Sequence, residues 1–149
     1  MLSFNVSIRE RAASFHKSLG LDPNTIVVGF HIRRGDYRTY ESGKYFLSDQ
    51  EWLTILGQVR NQVSDSGHLF HGLLFSNEDV SSLVDSNNDL SLGPGSSFLD
   101  IASMMLCDFL VGPPSTFSGW ASFYASVPLT YVDSSSLSFD IFKSIPVAW

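Results

Sequence analysis

A single cysteine, Cys107, is all that the 149 residues contain. An internal disulfide is therefore excluded, and no second thiol exists to share a zinc cluster. Cys107 sits in MMLCDFLV, where a buried small hydrophobe is the expected role. Basic residues are also scarce: nine Lys and Arg stand against fifteen Asp and Glu, giving a net charge of −6 and a pI of about 4.9. That balance argues against broad nucleic-acid or anionic-membrane binding, which leaves a basic excess. No apolar run reaches the roughly 18 residues of a membrane span, and the first residues carry no signal-peptide core. The expected location is cytoplasmic, or the Golgi lumen if the chain was cut from a eukaryotic parent. The NVS at Asn5 matches the glycosylation pattern but matters only after secretion. No repeat of 20 to 50 residues is found, nor a G-x-S-x-G or Walker loop, and His16, His68 and His71 show no metal spacing.

What is present is a globular composition. Hydrophobic residues make up 44% and charged residues 16%, with twelve Phe and three Trp. A chain of this length is one domain in size and buries roughly 70% of its unfolded surface.

Apolar periodicity gives an alternating map. SIRERAASFHKSLG (7–20) reads as a helix, with His16 on a surface helix, closed by Gly20 and the turn Asp22-Pro23-Asn24. TIVVGFHI (25–32) is a continuous β-branched and apolar run, the pattern of a strand covered on both faces. SDQEWLTILGQVRNQV (48–63) opens with the Ser48/Glu51 capping box and continues at helical spacing. HGLLFS (71–76) predicts a second buried strand, and Ser76/Asp79 repeat the cap spacing before a short helix to about Val84. GPGSSF (93–98) lacks the third glycine of a dinucleotide loop and a strong preceding strand, so it reads as a turn.

SFLDIASMMLCDF (97–109) predicts a helix with a third cap pair, Ser97 and Asp100, and with Phe98, Ile101, Ala102 and Met105 on one face. DFLVG (108–112) reads as a third strand, TFSGWASFYAS (116–126) as a helix and PLTYV (128–132) as a fourth strand. Trp120, Phe123 and Tyr124 are expected in the core rather than on a stacking platform. Strand and helix alternate throughout, so the expected fold is α/β: a Rossmann-like, mostly parallel sheet with helices on both faces. Ligands in such sheets bind just beyond the carboxyl ends of the strands.

Three stretches at those ends can carry chemistry. The first is HIRRGDY: of nine basic residues, Arg33, Arg34 and Arg38 fall within six positions. Guanidinium groups present a planar fork of donors matched to phosphate oxygens. Adjacent arginines at a strand end point to different sides, so one makes the key contact and the other braces it. Arg33 shares the face of His31; Asp36 can brace an arginine, and Gly35 permits the turn between them. The plain alternative is a surface Arg–Asp pair of little energetic weight. The second stretch is DFLVGPPSTFSGWASFY, where Gly112-Pro113-Pro114 ends a strand and Ser115, Thr116 and Ser118 cluster at a helix start. Free N–H groups and hydroxyls there suit an anion, although Ser115 can equally cap its own helix. The third is LLFSNEDVSSL, where Asn77, Glu78 and Asp79 follow a strand. A carboxylate there can accept the paired N–H donors of a base or sugar. An acidic first turn also suits the helix dipole without any ligand, and taken alone that is the better account.

HIRRGDY resembles the H-x-R-R-x-D motif of the fucosyltransferases that make α1,2 and α1,6 linkages, and its G-D-Y ending is closest to the α1,2 group. FSNEDVSSL looks like their second motif, a small residue followed by acidic residues after a strand. DIASMMLCDFLVGPPSTFSGWASFY is similar to the third, a helix and strand leading into a Ser/Thr-rich loop and an aromatic helix. The three lie in family order over residues 25 to 132. The resemblance implies the C-terminal, donor-binding half of a two-domain GT-B glycosyltransferase. Residues 1–149 then form a single GDP-fucose-binding domain, with 1–24 a leading helix and linker and the N-terminal acceptor domain absent. It also implies a GDP-fucose donor with no metal cofactor, a glycan acceptor and inversion at the sugar. Arg33 would hold the diphosphate with Arg34 assisting and His31 near the nucleoside. Ser115, Thr116 and Ser118 would receive phosphate oxygens, and Glu78 or Asp79 would read the guanine edge. In the α1,6 branch a glutamate lies ten residues after the motif's histidine, the place of Glu41 here, which makes Glu41 a candidate base; the plain alternative is a solvated loop glutamate. Two other readings stand beside this one: a non-catalytic nucleotide-sugar-binding module, and a phosphoester-binding domain that uses the arginine pair without any sugar.

Overall fold

The computed structural model describes residues 6–134 and 137–148; Asn5 lies outside them. Among the described residues the sheet has five strands, all parallel, in the order β3-β2-β1-β4-β5. The elements run α1 (Val6–Ser18), β1 (Thr25–Ile32), α2 (Asp49–Asp65), β2 (Leu69–Ser76), α3 (Ser81–Val84), β3 (Leu90–Leu92), α4 (Ser97–Met104), β4 (Phe109–Gly112), α5 (Thr116–Ala125) and β5 (Leu129–Tyr131). This is the expected α/β architecture, a Rossmann-like sheet flanked by helices.

The continuous apolar runs follow from burial on both faces. In β1, Val28, Phe30 and Ile32 enter one core with Trp52, Ile55, Leu56 and Val59 of α2. Phe30 meets the Trp52 ring edge to face at 6.5 Å. Leu73 and Phe75 of β2 and Leu110 of β4 enter a second core with Ile101 and Met104 of α4 and Ala121 of α5. A period of two in each strand thus serves two cores at once. It also sends His31, between Phe30 and Ile32, to the α4 and α5 side, where its ring meets Phe117 at 6.2 Å. The α2 start forms as its capping box requires: Glu51 N–H donates to Ser48 Oγ at 3.2 Å, and Ser48 N–H to Glu51 Oε1 at 3.0 Å.

Several expectations are corrected. A strand does precede GPGSSF, since Leu90–Leu92 pairs in parallel with β2; three residues among Asn and Asp carry too little apolar pattern to show it. The helix expected over 97–109 ends at Met104. Its N-cap, Ser96, makes no side-chain cap bond, and Asp100 accepts the Gly95 N–H at 2.8 Å instead. His16 is half-buried rather than on an open surface, with Nε2 2.7 Å from the buried Ser103 Oγ where α1 meets α4. The wide side chains of α5 do not fill the core. Its buried positions are Ser118, Gly119, Ala121 and Ser122, while Trp120 and Phe123 are half-buried and Tyr124 is exposed. Small residues let α5 lie close to its neighbours, which turns the aromatics outward. Cys107 is buried, and burial pushes its thiol well above the usual range. Among the described residues no helix is long and apolar enough to cross a membrane.

Candidate functional site

The strand order reverses between β1 and β4: the chain builds β2 and β3 to one side of β1, and β4 and β5 to the other. Ligands of doubly wound sheets bind at such a switch point, outside the carboxyl ends. HIRRGDY leaves β1 at that point, and the Ser/Thr-rich turn leaves β4 beside it.

Arg33 and Arg34 diverge. Arg34 is buried on the α2 side, where its Nη2 donates to Asp49 Oδ1 at 2.5 Å and to the Leu47 carbonyl at 3.2 Å. Its backbone is clamped by Asn77: Arg34 N–H donates to Asn77 Oδ1 and Asn77 Nδ2 donates to Arg34 O, both at 2.9 Å. Arg34 therefore takes the bracing place. Gly35 sits at φ +69 and turns the chain directly afterwards, with a conformation that a side chain would strain. Arg33 lines a cleft of about 120 Å³ together with His31, Asn77, Asp100 and Phe117. Its nearest acid is Asp36 at 3.4 Å, a loose pair, and its buried Nε has no hydrogen-bond partner. Buried His31 Nδ1, Arg34 Nε and Ser118 Oγ, and Thr130 Oγ1 in β5, are likewise without partners among the described residues. Each such group costs about 1–3 kcal/mol if left unsatisfied, and the two that line the cleft, Arg33 Nε and His31 Nδ1, are the ones that a polar ligand there can complete.

Burial, followed by the neighbouring Arg33 charge, drives the His31 pKa down to about 4. The ring is neutral in the folded protein, whereas an unfolded histidine takes its proton near pH 6.5. Between those values the unfolded chain binds more protons, so stability is full above about pH 6.5 and falls as pH drops toward 4. The contribution is up to roughly 3 kcal/mol at about 1.4 kcal/mol per pH unit. Burial lowers His16 and His71 as well, with the same sign. Urea melts of His31→Asn between pH 4 and 7 should therefore show a clearly flatter loss of stability than the parent; an equal slope would remove His31 as the source.

The other expected residues fall as follows. Ser115 Oγ accepts the Phe117 N–H at 3.2 Å, so it caps α5 while its own hydroxyl proton remains available to an acceptor. Thr116 is exposed in the first turn of α5, and Ser118 is wholly buried. Glu78 is engaged with Arg38 through two hydrogen bonds of 2.6 and 3.1 Å, a pairing that holds its carboxyl below the usual range. Asp79 Oδ1 accepts the Ser81 N–H at 2.9 Å, which lowers its pKa as well. Glu41 is exposed, on a 3-10 segment, in a left-handed conformation at φ 49. Among the described residues no three His, Cys, Asp or Glu side chains group as a metal site.

Asp100 is the residue that cap spacing misassigned. A second cleft, of about 140 Å³, runs past Glu78, Asp79, Gly93 and Gly95, and shares Phe75, Ser76 and Asp100 with the first. Asp100 therefore stands where the two meet. Burial raises its pKa, partly offset by the Gly95 N–H. Gly93 lies so close to the Phe75 ring that a Cβ there would come within 2.5 Å of it and 3.4 Å of Asp100 Oδ1. The signal that could have found Asp100 was its place on the first turn of the helix after the third parallel strand, but that strand was itself missed.

A parallel sheet in this order, with cationic and hydroxyl groups gathered at its switch point, defines a doubly wound α/β domain, a class that binds ligands at the carboxyl edge. The chain belongs to glycosyl transferase family 11, whose sequence model matches residues 2–145. No curated protein matches the sequence. In three dimensions it is similar to a crystal structure of NodZ α1,6-fucosyltransferase soaked with GDP-fucose, with a TM-score of 0.53 and 18% identity. The match covers 89% of this chain and 46% of that one, so the chain spans less than half the length of that protein.

Proposed function

We propose that the chain is the donor-binding part of a fucosyltransferase and holds GDP-fucose across the carboxyl edge of β1, β2 and β4. The observation that carries this reading is the half-buried Arg33 guanidinium in the cleft at that edge, with its Nε and the His31 Nδ1 beside it lacking protein partners, in a chain of this family. Arg33 takes the diphosphate, loosely braced by Asp36. Free N–H groups at the start of α5, with the Ser115 and Thr116 hydroxyls, take the remaining phosphate oxygens, whereas Ser118, wholly buried, is out of a ligand's reach. Arg34 assists by fixing the backbone from which Arg33 projects, and neutral His31 lies toward the nucleoside. The guanine edge goes to Asp100: Glu78 would have to release Arg38, and Asp79 the Ser81 N–H, before either could serve.

The chemistry follows from where charge grows. The acceptor hydroxyl oxygen bonds to the fucose anomeric carbon as the bond from that carbon to the β-phosphate oxygen breaks. GDP leaves, the configuration inverts, and the hydroxyl proton passes to a base. Through an oxocarbenium-like transition state, negative charge accumulates on the departing diphosphate. Fixed donors aimed there lower the barrier more than they stabilise the ground state. Arg33 and the α5 start are assigned that work without a metal ion. Glu41 is the candidate base on this chain, and the Gly35-Asp36-Tyr37 ending favours an α1,2 linkage.

Calorimetry of the chain with GDP, GDP-fucose and ADP, with and without EDTA, tests the reading. The expected result is binding of both guanine nucleotides, indifferent to EDTA, with ADP weaker by about 100-fold or more. A folded chain that binds ADP as well as GDP would instead be a general phosphoester binder. One that binds neither would overturn the donor assignment.

A further inference from the structure

Beyond the arginines, the segment from Gly35 to Phe46 carries three tyrosines that form one cluster. The Tyr37 and Tyr40 rings stack at 5.1 Å with 24° between their planes, and Tyr45 lies 6.4 and 6.1 Å from them. The cluster is held from two sides. Tyr37 donates its hydroxyl proton to the Pro114 carbonyl at 2.7 Å, which ties it to the turn after β4. Arg38 holds Glu78 after β2 and lies 5.0 Å over the Phe46 ring. Between these anchors Glu41, Ser42 and Gly43 all have positive φ, of 49, 58 and 77. Two consecutive non-glycine residues in that region cost free energy and persist only where the surroundings impose them. The result is a fixed aromatic shelf whose outer ring, Tyr40, is 50% exposed.

This shelf adjoins the diphosphate site. The Arg33 guanidinium lies 5.4 Å from the Tyr37 ring centre, and Tyr40 stacks on that same ring. A group resting on Tyr40 is therefore a ring's width or two from whatever Arg33 holds. Polar groups border the shelf: Thr39, Glu41 and Ser42 flank Tyr40, and Lys44 Nζ lies 5.4 Å from the Tyr45 ring centre. An exposed aromatic face within a polar rim matches a pyranose, which has an apolar C–H face and hydroxyls around its edge. A nucleobase would also stack on such a ring and hydrogen-bond at its edge, but the base is already assigned to the Asp100 side.

We infer that the Tyr37–Tyr40–Tyr45 shelf is a carbohydrate-binding subsite, on which a pyranose ring of the acceptor glycan stacks against Tyr40. The inference rests on the donor reading for its orientation, and its test separates the two. Saturation-transfer NMR is run on the chain plus GDP with methyl β-D-galactopyranoside and N-acetylglucosamine as probes. GDP affinity is measured alongside on every variant. The expected result is transfer concentrated on the C–H protons of one sugar face for at least one probe. Tyr40→Ala should reduce it about tenfold, while Tyr40→Phe and Tyr40→Trp retain it, with GDP affinity unchanged throughout. No transfer from either probe, or transfer that survives Tyr40→Ala, overturns the subsite even if GDP binds. Transfer that depends on Tyr40 in a chain that fails to bind GDP leaves the subsite standing and sinks the donor reading.

Discussion

Arg33→Ala should lower GDP affinity by about 1,000-fold, equivalent to about 4 kcal/mol, with little change in folding stability. The size of the effect comes from the half-buried position of the guanidinium. A charge-assisted, two-point contact to a diphosphate in a partly desolvated cleft exceeds a surface pair several-fold, and truncation leaves the phosphate charge unmatched. The small effect on folding follows from what Arg33 touches within the protein. Its acidic neighbour is the exposed Asp36 at 3.4 Å, and pairs of that kind contribute about 0–1 kcal/mol. Arg33→Lys keeps the charge but loses the planar fork, and should recover only part of the affinity. Arg34→Ala is the contrasting variant. It removes the bonds to Asp49 and Leu47, so its primary effect is on stability. Paired calorimetry and urea melts on the three variants separate holder from brace. An Arg33→Ala protein that binds GDP within a few-fold of the parent would remove Arg33 from the phosphate site.

That the two arginines diverge, with Arg33 on the face of His31, could be reasoned from strand geometry, because adjacent side chains leave a strand on opposite sides. The expectation that Arg33 is the one to face a phosphate came from the family resemblance. Which acidic residue faces the cleft could not be reasoned from the sequence. In the sequence, Glu78 and Asp79 follow a visible strand, whereas Asp100 follows a strand of three residues with little apolar signature. Ser97 and Asp100 also reproduced the cap spacing, and that pattern offered a sufficient local account. Instead of capping, the carboxylate is met by a local turn: the chain bends at Gly95, five residues earlier, so that its N–H reaches Asp100. By contrast, the long buried strands and the α2 capping box are local consequences of composition and were readable, although β2 starts at Leu69, two residues before the stretch expected. The outward aromatics of α5 and the half-buried His16 depend on how closely helices approach, which is set by Ser118, Gly119, Ala121 and Ser103 acting across elements. The tyrosine shelf belongs to the same class: its spacing fits no regular periodicity, and the loop that carries the rings is tied down by contacts to Pro114 and Glu78 on other elements.

The guanine assignment makes the second large prediction, because it specifies which atoms exchange. Guanine presents two adjacent donors, N1–H and the 2-amino group, and an ionised Asp100 accepts both. Asp100→Asn retains one acceptor and replaces the other with an NH₂ donor. Against guanine that donor opposes the 2-amino group, so GDP affinity should fall by about 100-fold. Xanthine has a carbonyl oxygen in place of that amino group. The same substitution therefore creates a matched pair with XDP, and the GDP-to-XDP preference should shift by about 10⁴-fold in favour of XDP. A merely structural role for Asp100, through the Gly95 N–H that it accepts, would weaken both nucleotides alike. The ratio therefore discriminates where the single affinity does not. Glu78→Gln and Asp79→Asn are made in parallel, since either residue would show the same reversal if it were the reader. Their expected ratio is that of the parent, because each carboxylate already has a protein partner that the substituted amide oxygen can still accept from. A reversal at Glu78 or Asp79 with none at Asp100 would move the base to the far end of the second cleft and reorient the donor along the sheet edge.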